Sequence, residues 1–169
     1  PYLNIEYLDI LADSSNPLVQ SSPLKWIKIR QAISYGIDRK KMMLYLRNSI
    51  GTVAENGFVP PGLPSFDAAP VKGYGYDPGK AKQLLKEAGY NSSNPMPEIK
   101  LLTIPNYAAL GTYIVNELKQ LGINAVVETV QKSLLLEQTA KSQVLFFKGS
   151  WSADYTDAEN DTSVFYGDN

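Results

Sequence analysis

The sequence contains no histidine and no cysteine. Without histidine, this chain cannot build a Ser-His-Asp triad, an imidazole general base or a His-ligated zinc site. Without cysteine there is no disulfide, thiolate nucleophile or thiolate metal site, which fits any redox compartment, including an oxidising one. The formal net charge is only −1, so no basic field points to nucleic acid or to an anionic membrane. No apolar run approaches the ~20 residues that a helical membrane span needs. The stretch begins at Pro1 and shows no basic segment followed by an apolar one, so no signal peptide is expected within it, which says nothing about export. A mature product or an excised piece is therefore expected. Any enzyme built here would have to use carboxylate, lysine, tyrosine or serine chemistry.

What is present is an ordinary globular composition. The 169 residues are 44% hydrophobic and 20% charged, enough for one domain with its own core. Residues 2–11 alternate apolar Leu3, Ile5 and Tyr7 with polar neighbours, which predicts a strand. "ADSSNPLVQSSP" reads as a polar loop. Residues 24–37 place Trp26, Ile29, Ala32, Ile33, Gly36 and Ile37 at helical spacing, with Trp26 counted among the inward residues. Asp38 is placed to cap a second helix running to about Arg47, with Ile37 and Met42 spaced as a hydrophobic staple. Residues 51–76 hold Pro60, Pro61, Pro64, Pro70 and several glycines, so a long irregular loop is expected. "DPGKAKQLLKEAGY" is a helix with Asp77 as cap, Pro78 in the first turn, Ala81, Leu84, Leu85 and Ala88 inward, and Gly89 at its end.

The rest alternates strand and helix. Strands are expected at 98–104, 123–130 and 143–149, and helices at 108–122 and over "LLLEQTAKS". Such an order predicts an α/β fold: a sheet with a parallel component and helices on its faces. In these sheets ligands gather beyond the carboxyl ends of strands. "GSWSADYTDAEN" occupies such a place.

Several chemistries compete for that stretch. "GYGYDPG" has the wrong spacing for a dinucleotide fingerprint and reads as a turn into a capped helix. Asp157, Glu159 and Asp161 alternate like the start of a calcium loop, but Thr162 and Asp168 stand where glycine and glutamate are required. The better account has Asp157 capping a short helix over "AENDTSVFY". A glycosidase would need Asp154 paired with a second carboxylate at a set distance. Trp151 is open to a core role or a cleft role, and Asp154 to a turn cap or a site carboxylate.

Three motifs together resemble the bacterial extracellular solute-binding proteins of family 5, the oligopeptide, dipeptide and nickel class. They are "IRQAISYGIDRKKM", "YDPGKAKQLLKEAGY" and "SWSADYTDAEN", in the family's order. The resemblance implies one lobe of a type II periplasmic-binding-protein-like clamshell. The chain would be most of the C-terminal lobe, with the N-terminal lobe and a final return segment absent from it. It also implies capture of a peptide or other small solute for an ABC-transporter membrane permease. The expected protein is a periplasmic or membrane-anchored extracytoplasmic monomer that does not bind nucleic acid, with no cofactor and no metal. By the family's motif, Asp154 would pair with a ligand ammonium, Trp151 would line the cleft and Lys148 would meet a peptide carboxylate. Tyr155, from the same motif, and Asn106, after the strand at 98–104, complete the expected ligand-binding set. Nickel complexes, haem and oligosaccharides are the alternative ligands. Three departures stand out: Ala158 replaces a usual proline, Gly36 a usual alanine, and Asp161 and Thr162 occupy places where relatives carry apolar residues.

Overall fold

A computed structural model describes residues 4–63, 65–69 and 71–166. Tyr2 and Leu3 of the expected first strand, Pro64 and Pro70 of the loop, and Asp168 lie outside the described residues. Four strands form one sheet: β1 (Asn4–Ile10), β2 (Ile99–Thr103), β3 (Ala125–Thr129) and β4 (Phe146–Ser152), in the order β1-β4-β2-β3. The pairs β2–β3 and β2–β4 are parallel, and β1–β4 is antiparallel. The sheet is therefore mixed, as the strand–helix alternation predicts.

Helices supply the second layer. They are α1 (Pro17–Ser21), α2 (Ile27–Gly36), α3 (Arg39–Arg47), α4 (Pro78–Glu87), α5 (Ala108–Gln120), α6 (Lys132–Ala140) and α7 (Ala158–Thr162). The caps act as read from the sequence. Asp38 accepts from the Lys41 amide at 2.9 Å and Asp77 from the Lys80 amide at 2.8 Å. Gly89 takes a φ of +88° just past α4, a conformation that a Cβ would strain. Residues 51–76 contain neither helix nor strand among the described residues.

The core joins Ile29, Ala32 and Ile33 of α2, Ala81, Leu84 and Leu85 of α4, and Leu110, Ile114 and Leu118 of α5 to Leu101 and Phe146 of the sheet. The helix α5 lies close to the sheet: a Cβ on Gly111 would sit 3.1 Å from Val127 and 3.5 Å from Thr103. Gly36 has a similar reason, because the side chain of Leu121 fills the space that a Cβ there would need.

Two expectations fail. Residues 12–23 are not all loop: Asn16 accepts from the Leu18 amide at 2.9 Å and starts α1, and Ser22 caps a 3-10 turn at Pro23–Lys25. Proline just after each cap lets the chain turn without losing a needed N–H. Trp26 is not core. It occupies the N-cap position of α2, so its side chain leaves before the helical stripe begins, and it is 51% exposed. Lys25 sits over its ring at 5.4 Å.

Candidate functional site

The carboxyl ends of β2 and β4 carry the residues singled out in the sequence. The strand β4 runs three residues past the expected boundary, so Trp151 lies within it, paired with Ile5. Side chains alternate along a strand. Phe146 and Lys148 therefore share the face that packs on the helices, with Glu6 and Leu8 of β1. Gly149 and Trp151 belong to the other face. Tyr7 lies across Gly149 there, and a Cβ on Gly149 would sit 2.5 Å from the Tyr7 ring. Phe58 of the long loop contacts Tyr7 at 5.4 Å between ring centroids, and Phe165 contacts Phe58 at 5.0 Å.

Beyond β4 the chain turns sharply into α7. Asp157 accepts from the Glu159 amide at 2.9 Å, the cap that the sequence predicts. Asn160 then reaches back. Its Oδ1 accepts from the Trp151 indole Nε1 at 3.1 Å and from the Asp154 amide at 3.2 Å. One buried side chain thus fixes both the indole and the backbone of the residue with the exposed carboxylate. The Asp154 carboxylate itself has no hydrogen bond or ion pair among the described residues. Tyr155 is exposed beside it. Asp161 is fully buried in α7, and neither carboxylate oxygen has a hydrogen-bond partner. Desolvation raises its pKa above the usual carboxylate range. Its surroundings therefore suit an apolar side chain better than a carboxylate. Asp157, Glu159 and Asp161 form no metal-holding group, and no other such group occurs among the described residues.

Lys148 stands apart from Trp151, on the opposite face of β4. Only 4% of it is exposed. Its Nζ lies 3.7 Å from Glu6 Oε2, near enough for an ion pair but too far for a hydrogen bond. Glu6 in turn accepts from Arg47 Nη2 through both carboxylate oxygens. The Lys148 Nζ also lies 3.2 Å from the ring centroid of Tyr107. Burial pushes its pKa down to about 8, although Glu6 pulls the other way; Arg47 adds to the lowering. Asn106 is exposed next to Tyr107, on the 3-10 turn Pro105–Tyr107 that follows β2.

The structure thus brings the expected residues into two groups. Trp151, Asp154 and Tyr155 form one around Asn160, and Lys148 and Asn106 the other around Tyr107. A separate open hollow of about 440 Å³, lined by Asp38, Arg39, Lys41, Glu55 and Tyr76, contains none of them. Sequence reading missed Glu6, Arg47, Tyr107 and Asn160. Only Asn160 had a signal, as the last residue of the motif carrying Asp154. The others meet through register and helix placement, which no local pattern encodes.

The profile of the "Bacterial extracellular solute-binding proteins, family 5 Middle" matches residues 1–169. The "Dipeptide-binding protein" of Escherichia coli is 29% identical over 165 residues, covering 95% of this chain and 29% of that protein. "Heme-binding protein A" of Haemophilus influenzae is 28% identical over 153 residues, covering 88% of this chain and 27% of that protein. The chain therefore spans less than a third of the length of these curated relatives. A crystal structure of a dipeptide binding protein from Pseudoalteromonas sp. SM9913, in complex with Met-Leu, superposes with a TM-score of 0.81 at 24% identity. It covers 96% of this chain and 31% of that one. At that identity the likeness establishes the fold alone, an α/β unit matching part of a binding protein.

Proposed function

We propose that this chain, which belongs to the bacterial extracellular solute-binding proteins of family 5, forms most of the C-terminal lobe of a two-lobed receptor that captures peptides for an ABC importer. Membership of a solute-binding family removes the glycosidase reading. The receptor would work outside the cytoplasmic membrane, as a periplasmic or membrane-anchored protein that hands its solute to a permease.

The observation that carries the peptide reading is Asp154. It is an exposed carboxylate with no protein partner among the described residues, on a backbone held in place by Asn160. A fixed, unpaired anion at the carboxyl edge of a sheet suits a ligand ammonium. In water such a pair is worth only ~0–1 kcal/mol. Closure of a second lobe would exclude water, and the same charge-assisted hydrogen bond would strengthen. Trp151 supplies apolar area beside it, and Tyr155 and Asn106 supply polar contacts. Lys148 meets the ligand carboxylate; its buried Nζ has no hydrogen-bond acceptor of its own.

A non-peptide ligand is the second reading, because one relative is a heme-binding protein. Native mass spectrometry of the whole receptor, purified without refolding, separates the two. The peptide reading expects co-purified peptides with free amino termini. Haem, a nickel complex or an oligosaccharide in their place would overturn it.

A further inference from the structure

Two cations and one carboxylate meet below the carboxyl edge of the sheet. Glu6 is shared between Arg47, which holds both its oxygens, and Lys148 at 3.7 Å. The cluster therefore keeps one surplus positive charge. Its polar atoms are also unevenly satisfied. The Lys148 Nζ has no hydrogen-bond acceptor, and Thr103 Oγ1, on the last residue of β2, is fully buried with no partner. Leu102 pairs with Phe147, so alternation puts Thr103 and Lys148 on the same face of adjacent strands. Two buried donors and a net positive charge suit an anion with at least two acceptor atoms, such as a carboxylate.

One side chain touches both cations. The Tyr107 ring centroid is 3.2 Å from Lys148 Nζ and 5.8 Å from Arg47 Cζ. The negative face of an aromatic ring attracts a cation most strongly when water is excluded. Here that face offers the Lys148 ammonium its nearest electron-rich surface. The ring is presented by a short 3-10 turn, closed by the Tyr107 amide donating to the Ile104 carbonyl at 2.9 Å.

We propose that Tyr107 is a positioning residue for a ligand carboxylate: its ring face holds the Lys148 ammonium in place and in charged form, aimed at the anion. The phenolic hydroxyl has no part in this, so phenylalanine should serve as well. The inference rests on the reading that Lys148 meets the carboxylate of a peptide.

The test uses the intact receptor and two probes, trialanine and trialanine amide, titrated by calorimetry at pH 7 and pH 9. The readout is the ratio of the two affinities in wild type, Tyr107→Phe, Tyr107→Leu and Lys148→Met. Wild type and Tyr107→Phe should prefer the free acid equally. Lys148→Met should abolish the preference. Tyr107→Leu should cut it by roughly tenfold, the scale of a desolvated cation–π contact, with amide affinity unchanged. Its remaining preference should fade at lower pH than in wild type, because the ammonium loses its stabilising ring. Unchanged amide affinity also shows that the variants fold. If Tyr107→Leu keeps the full preference while Lys148→Met loses it, the role of Tyr107 is refuted and the carboxylate reading stands. Loss of preference in Tyr107→Phe would likewise refute the ring's role and assign it to the hydroxyl. If Lys148→Met keeps the preference, the carboxylate reading fails and the inference falls with it.

Discussion

Replacing Asn160 by leucine should release the end of β4 from α7. The buried Asn160 Oδ1 accepts from the Trp151 indole at 3.1 Å and from the Asp154 amide at 3.2 Å. Leucine fills a similar volume but accepts nothing, so two part-buried donors lose their acceptor. A net hydrogen bond is worth about 1 kcal/mol, and an unsatisfied buried donor costs ~1–3 kcal/mol. Both donors are near the surface and can recover some water contact, so the expected loss is about 2 kcal/mol. Trp151→Phe removes the indole donor together with part of the ring's packing area, and its lost hydrogen bond should cost about half as much. The pair then forms a double-mutant cycle with an expected coupling of about 1 kcal/mol. Urea unfolding of the chain, followed by circular dichroism, gives each corner of the cycle. In the intact receptor, Asn160→Leu should also weaken peptide binding, since Asp154 loses its fixed backbone. A change below about 0.5 kcal/mol for Asn160→Leu, or additive single changes, would refute the view that Asn160 organises the site.

Lys148 makes a pH prediction. Its folded pKa of about 8 lies below the ordinary 10.5, so below pH 8 the folded state bears the full cost of a buried ammonium. At this site the unfolded chain binds more protons between these values, so the Lys148 contribution to stability should rise as pH goes from 8 to 10.5, by roughly 3 kcal/mol at most. Urea titrations of wild type and Lys148→Met over that range test it, and parallel curves would count against a depressed pKa. Gly149→Ala should destabilise by ~1–3 kcal/mol, because its Cβ would meet the Tyr7 ring at 2.5 Å. A melting temperature equal to wild type would show that Tyr7 moves aside freely.

The elements with strong local signals were legible in the sequence. Asp38 and Asp77 announced their helices because a cap is a contact within four residues. The stripe Ala81, Leu84, Leu85 gave the face of α4 because helical period and burial coincide there. The short α1 was hidden by composition: "SSNPLVQSSP" is polar enough for a loop, but Asn16 and Pro17 form a helix start. Trp26 was misplaced because periodicity cannot show where the helix begins. One residue outside the first turn, a side chain is free of the stripe. The site divides the same way. Trp151, Asp154 and Asn160 lie within ten residues of one another and are joined by local hydrogen bonds. The cluster of Glu6, Arg47, Tyr107 and Lys148 spans most of the chain and exists only through the β1–β4 register and the ends of α3 and β2.

The central claim is that Asp154 anchors a ligand ammonium in a closed cleft. Its most direct test is calorimetric titration of the intact receptor and its Asp154→Asn variant with one peptide, bearing either a free or an acetylated amino terminus. Losing one member of a buried, hydrogen-bonded ion pair costs ~2–5 kcal/mol. Either change alone should weaken binding by about that much, and the two together should cost little more than one, since they remove the same pair. Equal affinities across all four combinations would contradict the claim and leave Asp154 as an ordinary residue of the turn between β4 and α7.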